Sequence, residues 1–150
     1  AIKKKLSAIL HWPLFLFGFP GTGKTCAALC MADTGRSAVY RRVPDMLDEL
    51  IRMSKGDLKK DDAVWWTTWE SVGIVILDEL GSREQVSDFH YENVLKAIDS
   101  REDKPAIFIS NLPIHKLVNI YDARIASRLA AGTVIEFTGP DRRLQRCVKI

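Results

Sequence analysis

The feature that constrains this chain most is an eight-residue segment rich in glycine that ends in a lysine and a threonine. It reads Gly18-Phe19-Pro20-Gly21-Thr22-Gly23-Lys24-Thr25 and matches the pattern G-x-x-x-x-G-K-[ST] in full. Glycines let backbone N–H groups turn toward phosphate oxygens, and the positive N-terminal end of a following helix adds to the attraction. We expect Lys24 to reach the β- and γ-phosphates and the Thr25 hydroxyl to bind Mg²⁺, with Cys26 completing the binding segment.

The remainder of the chain alternates short apolar runs with amphipathic stretches, which is typical of βαβ units and a parallel sheet. The predicted strands are residues 14–17, 37–43, 74–77, 106–109 and 133–137. The predicted helices are residues 24–33, a helix beginning at Pro44, and residues 63–71, 84–101 and 123–131. The sequence therefore predicts a three-layer α/β fold of about five parallel strands flanked by helices, joined by right-handed crossovers.

Two carboxylates follow the most apolar of these runs. Residues 74–77 are Ile-Val-Ile-Leu, and Asp78 and Glu79 come directly after them. Ligands bind at the carboxyl edge of open α/β sheets, so this strand would deliver both carboxylates to the ligand. We expect Asp78 to hold Mg²⁺ directly or through water. Glu79 is placed to polarise an attacking water, which favours hydrolysis over transfer to a small acceptor.

Three further polar side chains admit two interpretations each. Asn111 ends the next predicted strand, where it can bond the γ-phosphate or the attacking water, or simply serve as a turn residue. Arg124 and Arg128 lie four residues apart on one predicted helical face. They can neutralise the γ-phosphate of a neighbouring subunit, or remain exposed and pair with Asp122 or solvent.

Composition narrows the class of protein. At 150 residues, with 47% hydrophobic and 27% charged residues, the chain predicts one folded domain and excludes a disordered or disulfide-rich chain. No apolar run approaches the roughly 18 residues of a membrane span, and no apolar segment near the N-terminus suggests a signal peptide. We therefore expect a cytoplasmic protein without a membrane partner, whose three cysteines are reduced and partly buried.

Charge and aromatic content leave contact with nucleic acid open. A net charge of +3 permits such contact without demonstrating it, and the basic pairs Arg41-Arg42 and Lys59-Lys60 are the candidate positions. Trp65 and Trp69 lie four residues apart on a predicted helix. They can stack on single-stranded bases, or pack against the sheet or a neighbouring subunit.

Four segments, in order along the chain, resemble the AAA+ ATPases, and among these the helicase loaders and transposition helpers of the DnaC and IstB type. They are residues 18–25, Asp78-Glu79-Leu80-Gly81, Ser110-Asn111-Leu112, and residues 124–128 followed by 139–143. The resemblance implies an AAA+ core of the P-loop NTPase type, with ATP as the nucleotide. It further implies that Asn111 senses the γ-phosphate. Arg128, with Arg124 second, would act as an arginine finger across the subunit interface of a ring or spiral.

The function that this resemblance implies is ATP hydrolysis coupled to loading a replicative helicase onto single-stranded DNA. We expect residues 1–150 to form a single AAA+ core without a C-terminal helical lid, and the helicase to be gripped by an N-terminal segment absent from this sequence. A transposition helper acting on duplex DNA is the alternative within the same class. A small-molecule kinase and a nucleotide-gated module without turnover are alternatives from other classes.

Overall fold

The computed structural model describes residues 9–33, 35–59 and 61–143, in which strands and helices alternate along the chain. The strands are β1 (Leu14–Gly18), β2 (Ala38–Arg42), β3 (Ile74–Leu80), β4 (Ala106–Ser110) and β5 (Thr133–Phe137). The helices are α1 (Lys24–Ala32), α2 (Val43–Ser54), α3 (Asp62–Ser71), α4 (Asp88–Asp99), α5 (Ile114–Ile120) and α6 (Ala123–Leu129). Lys60 and Cys147, which the sequence analysis considered, lie outside the described residues.

All five strands are parallel and form one sheet in the order β2-β3-β4-β1-β5. β1 lies between β4 and β5 and pairs with both, so Leu16 lies opposite Ile109 of β4 and Ile135 of β5. From β1 the chain crosses to the far edge at β2 and returns through β3 and β4. The predicted α/β fold with five parallel strands is confirmed, and its strand order reverses beside β1, where such sheets bind ligands.

Alternate strand residues divide the apolar core into two layers, as the two-residue period of a strand requires. Phe15, Leu77 and Phe108 face one layer, which also holds buried side chains of α2, α3, α4 and α6. Leu16 and Ile76 face the other, which α1 covers with Ala28 and Ala32. Within the described ranges, no helix combines the length and the apolar composition that crossing a membrane requires.

The boundaries of several elements differ from the predicted ones for local reasons. α4 begins at Asp88 and not near residue 84, because the Ser87 side chain caps it by accepting from the His90 N–H. The seven-residue α5 was not predicted, since it buries only Leu117 and shows no clear amphipathic period. The expectation of partly buried cysteines is wrong for Cys26 and Cys30, which are both exposed on α1.

The tryptophans of α3 pack inside the protein. Trp66 and Trp69 are buried, and the Trp69 indole N–H donates to the carbonyl of Ala97 at 2.9 Å. Trp65 stacks on Trp69 with ring centroids 5.5 Å apart and donates to a carboxylate oxygen of Glu49. Because Trp69 is only 1% exposed, these rings support packing and do not form a stacking platform for bases.

A buried arginine joins three elements at the amino ends of the strands. Asp78 lies at the other end, where the strands finish. Arg101 is 2% exposed, and burial lowers the pKa of its guanidinium. The guanidinium donates to five carbonyls, at 2.8–3.5 Å, belonging to Trp69, Glu70, Val72, Gly73 and Pro105. Carbonyls at the end of a helix lack partners within it, so Arg101 caps α3 and ties it to the starts of β3 and β4.

We predict that Arg101→Ala lowers the free energy of unfolding by about 2–4 kcal/mol, because several buried carbonyls lose their donor. Urea unfolding would measure this loss. The matched control is Arg52→Ala, whose exposed side chain lies 4.0 Å from Asp48 and which should change stability by less than about 0.5 kcal/mol. Equal stability of Arg101→Ala and the unaltered protein would contradict the capping role.

Candidate nucleotide-binding site

A cavity of about 900 Å³ opens at the carboxyl ends of β1, β3 and β4. The sequence-predicted residues that line it are Pro20, Gly21, Gly23, Lys24, Thr25, Cys26, Asp78, Glu79 and Asn111. Segments separated by more than fifty residues therefore meet at one edge of the sheet, as the parallel arrangement requires. A volume in this range is typical of a small-molecule site.

The loop between β1 and α1 is shaped by glycines in left-handed backbone conformations. Gly21 has φ +77° and Gly23 has φ +95°, values that residues with a side chain rarely adopt. Gly23 is the N-cap of α1, and no side chain caps that helix. The first-turn N–H groups of α1 are thus left to an anion, to which the helix end also contributes its positive dipole.

The remaining loop residues serve its internal structure. Gly18 is buried against the Phe137 carbonyl, which a Cβ at position 18 would overlap. Thr22 is buried, and its hydroxyl donates to the Phe19 carbonyl at 2.8 Å. The Phe19 side chain is 78% exposed and points away from the core. These three predicted binding residues do not line the cavity, although the first two fix the curvature of the loop.

Lys24 lies within the curve of this loop. Its ammonium donates to the carbonyls of Gly18 at 2.7 Å and Phe19 at 2.9 Å. Burial lowers the pKa of Lys24, an effect that the nearby Asp78 carboxylate opposes and the Arg143 guanidinium reinforces. Its ammonium makes no ion pair within the described residues. The charge is therefore placed to meet an anion at the mouth of the loop.

Asp78 and Thr25 form the polar centre of the cavity. The Thr25 hydroxyl donates to Asp78 Oδ2 at 2.7 Å, and the Tyr40 hydroxyl donates to the same oxygen at 2.9 Å. Burial, followed by the Asp78 charge, raises the pKa of Tyr40, so its hydroxyl keeps its proton and acts as a donor. The sequence analysis missed Tyr40. The pairing of β2 beside β3, with Arg42 opposite Asp78, brings it there.

The chemistry of this pair fits Mg²⁺. A hydroxyl and a carboxylate, both hard oxygen donors, stand within 2.7 Å of each other at the cavity. No cluster of three or more His, Cys, Asp or Glu side chains that could hold a metal occurs in residues 9–33, 35–59 and 61–143. Mg²⁺ commonly binds through one or two carboxylates together with substrate phosphates and waters, and Asp78 offers one such carboxylate.

Glu79 occupies an unusual backbone conformation at the end of β3. Its φ is +61°, and the register of β3 against β4 shifts between Leu77 and Leu80. A residue with a side chain held in this region costs on the order of 1–3 kcal/mol, and such strain concentrates at functional sites. The shift lets Asp78 and Glu79 both line the cavity, where regular alternation would send them to opposite faces.

Arg42 joins this site from the end of β2. Its guanidinium lies 3.6 Å from Glu79 Oε1 and 2.7 Å from Asp45 Oδ2. The neighbouring Arg41 lies 3.1 Å from Glu49 Oε1. Both arginines, considered above as DNA contacts, thus form ion pairs with the chain's own carboxylates. Such exposed pairs are individually weak, so Glu79 remains available to a ligand.

Asn111 lines the cavity at the end of β4, the strand between β1 and β3. The preceding Ser110 donates its hydroxyl to the Leu80 carbonyl at 2.6 Å and accepts from the Leu112 N–H at 3.0 Å. These bonds fix the end of β4 against the end of β3. Asn111 is exposed and lines the same cavity as Glu79.

Arg124 and Arg128 lie on α6, and neither lines the cavity. Arg128 pairs through Nε with Asp99 of α4 and donates from Nη1 to the Arg124 carbonyl at 3.2 Å. Asp122 caps α6 by accepting from the Ile125 N–H at 2.9 Å. The structure thus places both arginines outside the cavity of their own protomer.

The sequence analysis assigned no role to Arg142 and Arg143, yet both line the cavity. They follow β5, and the Arg142 N–H donates to the Gly21 carbonyl at 2.9 Å. The signal available in the sequence was the pair of arginines shortly after Gly139, in the segment noted for its family resemblance. Their distance from the other motifs gave no indication that they meet the glycine loop.

Comparison with known proteins identifies relatives of the chain. A family model of the IstB-like ATP-binding proteins matches residues 11–133. The chromosomal replication initiator protein DnaA of Aquifex aeolicus is 27% identical over an alignment of 133 positions that covers 85% of this chain and 32% of that protein. The chain therefore spans about a third of the length of this curated relative.

Solved structures of replication proteins share its fold. DnaI is 27% identical with a TM-score of 0.68, over 87% of this chain and 72% of that chain. The DnaC helicase loader is 21% identical with a TM-score of 0.71, over 83% and 77% of the respective chains. AMPPCP-bound DnaA from Aquifex aeolicus is 21% identical with a TM-score of 0.72, over 91% and 44%. The likenesses show the α/β fold of P-loop NTPases.

We predict that Gly21→Ala weakens nucleotide binding at least about tenfold, because a Cβ there would overlap the Asp141 carboxylate, which must move and lose its hydrogen bond from the Arg143 N–H beside the cavity. The matched control is Gly56→Ala, which has nearly the same φ, +76°, but meets nothing within 4 Å. Both variants should lose about 1–2 kcal/mol of stability from the left-handed backbone, but only the first should lose affinity. Titration with a fluorescent ATP analogue measures affinity, and equal affinities would contradict the prediction.

Proposed function

Because the chain belongs to the IstB-like ATP-binding family, we propose that it hydrolyses ATP and acts in DNA replication as a loader of a helicase onto single-stranded DNA. It is an ATP-binding AAA+ domain related to the DnaA, DnaC and IstB proteins. The observation that carries the proposal is the meeting of the glycine loop with Asp78 and Glu79 around one cavity. A kinase for a small acceptor has no need of Glu79 in the position of a base for water.

The side chains around the cavity have complementary roles in hydrolysis. Lys24 neutralises charge on the β- and γ-phosphates, and Glu79 accepts a hydrogen bond from the attacking water and orients it toward the γ-phosphorus. Asn111, at the end of β4, bonds the γ-phosphate or the same water. Thr25 and Asp78 would hold Mg²⁺, which, when bound, neutralises phosphate charge.

Arg128 acts on the nucleotide of a neighbouring subunit. α6 carries it away from the cavity of its own protomer, so its charge reaches a γ-phosphate only when a second copy docks against that face. Its pair with Asp99 is about one-third exposed and worth about 0–1 kcal/mol, little enough for a phosphate to displace. The protein therefore assembles into a ring or spiral with nucleotide between subunits, and Arg124 is the second candidate for this role.

The assignment to single-stranded DNA and a helicase is supported by the relatives. One structure that the chain resembles in fold is the replication initiator DnaA bound to AMPPCP and single-stranded DNA. The DnaC helicase loader is matched over 77% of its own chain. A net charge of +3 is compatible with DNA contact distributed over several subunits.

A second candidate function, assistance to a transposase on duplex DNA, is favoured by one observation. The family model that matches residues 11–133 is that of the IstB-like ATP-binding proteins. Both candidates require the same cavity and the same assembly, and they differ in the form of DNA that the ATP-bound protein prefers.

We predict that ATP hydrolysis per subunit rises with protein concentration and is stimulated by DNA, because Arg128 completes the site only in an assembly. Arg128→Ala should reduce turnover on the order of a thousandfold while leaving ATP affinity unchanged. Phosphate release measured over a range of protein concentrations tests both statements. Turnover that is independent of concentration and insensitive to Arg128→Ala would overturn the role in trans.

A mixing experiment separates that role from a defect in folding. Lys24→Ala binds nucleotide poorly but still presents Arg128, so adding it to Arg128→Ala should restore hydrolysis. The matched control is the double variant Lys24→Ala/Arg128→Ala, which should restore none. Arg124→Ala, tested in the same mixture, reports whether the second arginine has the same role.

We predict that Glu79→Gln binds ATP without hydrolysing it and, in that state, binds a single-stranded oligonucleotide at least about tenfold more tightly than the matching duplex. The amide keeps the shape of Glu79 but does not act as a base toward water. Fluorescence anisotropy at several fixed salt concentrations measures both affinities. A preference for duplex would contradict helicase loading and favour the transposition role.

A further inference from the structure

The Asp78 carboxylate accepts hydrogen bonds from three different elements. The Thr25 hydroxyl of α1 and the Tyr40 hydroxyl of β2 both donate to Oδ2, at 2.7 and 2.9 Å. The backbone N–H of Glu79 donates to Oδ1 at 2.7 Å. Asp78 is only 6% exposed. A buried carboxylate bonded at both oxygens is fixed in one orientation, because turning it would leave a donor without its acceptor.

The three donors differ in their position relative to the cavity. Thr25 and Glu79 line it, and Tyr40 does not. Thr25 is also a proposed ligand of Mg²⁺, and Glu79 belongs to the irregular end of β3. Among the residues that the structure describes, Tyr40 is therefore the one side chain that bonds Asp78 from outside the cavity.

The pairing of β2 with β3 anchors the Tyr40 ring. Tyr40 lies opposite Ile76, and Arg42 lies opposite Asp78. Tyr40 and Ile76 belong to the apolar layer that α1 covers, and Asp78 shares the face of Ile76 because side chains two residues apart point the same way. The ring is thus packed against the core beside Ile76, and its hydroxyl reaches along β3 to the carboxylate.

A tyrosine at this position does two things that a smaller or a charged residue would not do together. Its ring supplies the packing in the apolar layer, and its hydroxyl supplies a neutral hydrogen-bond donor. A lysine or arginine would neutralise the charge of Asp78, whereas a neutral donor orients the carboxylate and leaves its charge to attract a cation. A phenylalanine would keep the packing and lose the bond.

We propose that Tyr40 is a positioning residue for Mg²⁺, whose hydroxyl holds Asp78 in the orientation that binds the metal together with the nucleotide. The inference rests on the binding of ATP with Mg²⁺ assumed in the proposed function, and it adds a residue that acts through Asp78. Carboxylates that hold metals are commonly oriented by hydrogen bonds from surrounding groups, and loss of such a partner weakens metal binding by about 10–100-fold.

Nucleotide titration of the full chain with and without metal tests the proposal. The affinity for a fluorescent, non-hydrolysable ATP analogue is measured at saturating Mg²⁺ and again with a chelator. The ratio of the two affinities measures the coupling between metal and nucleotide. Tyr40→Phe should lower this ratio about tenfold and change the metal-free affinity by less than about twofold. A general defect in structure would instead lower both affinities together.

The matched control is Tyr91→Phe. It removes another tyrosine hydroxyl that donates to an aspartate, Asp122, and neither of these residues lines the cavity. This variant should keep the affinity ratio of the unaltered protein. Thermal unfolding without nucleotide should show that both variants are folded.

The variant Asp78→Asn shows whether Tyr40 acts through the carboxylate. Two changes that act through the same group are not additive, so Tyr40→Phe should lower the ratio little further in the Asp78→Asn background. A further loss as large as that in the unaltered background would overturn the inference. An unchanged ratio in Tyr40→Phe alone would also overturn it, and so would a higher ratio, since the hydroxyl would then compete with Mg²⁺ for the carboxylate.

The outcomes separate this inference from the proposed function. If Tyr40→Phe lowers the ratio but the unaltered protein never hydrolyses ATP, the proposed function fails and the inference stands. If the unaltered protein hydrolyses ATP and Tyr40→Phe keeps the ratio, the inference fails and the proposed function stands. If Mg²⁺ does not change the nucleotide affinity of the unaltered protein, the inference is wrong whatever the result for hydrolysis.

Discussion

The hydrogen bond from the Thr25 hydroxyl to Asp78 Oδ2 is the interaction on which the site depends. It joins the first turn of α1 to the end of β3, although β4 lies between β1 and β3 in the sheet. The bond is possible only because the strands are parallel and their carboxyl ends lie level, and because β3 departs from regular pairing where Asp78 leaves it. The strand arrangement of the sheet therefore determines where the polar residues of the site lie, at the carboxyl edge of a single sheet.

The costs of this arrangement gather at the same edge. Glu79 takes a left-handed backbone conformation, and Lys24 is buried without a carboxylate partner among the described residues. Gly21 loses more conformational entropy on folding than a residue with a side chain would, in a turn that only glycine adopts easily. The two apolar layers offset these costs, since β1, β3 and β4 between them bury nearly all of their side chains. The stability of the fold thus comes from its apolar interior, and the polar groups at the carboxyl edge of the sheet are left to interact with a ligand.

Periodicity and motif spacing predicted the strands, most helices and the residues of the glycine loop, because those signals are local. The helix over Ile114–Ile120 was not predicted, since seven residues with one buried side chain show too weak a periodic pattern. The positions of Tyr40 and Arg42 in the site were not predicted either. They lie beside Asp78 and Glu79 because β2 pairs with β3 in the sheet. Arg142 is similar: only the path of the chain after β5 brings it to Gly23. The site residues that the sequence did not predict are those that the strand order and the path of the chain bring to the cavity.

Arg101 has a consequence for how the molecule opens. Its guanidinium holds carbonyls from the end of α3, from the start of β3 and from the residue before β4. A helix terminus normally frays, and its amide protons exchange with solvent through small local openings. Here the last turn of α3 can be released only by uncovering a buried charge and loosening two central strands. That turn should therefore exchange on the slow timescale of the sheet, as part of one cooperative unit.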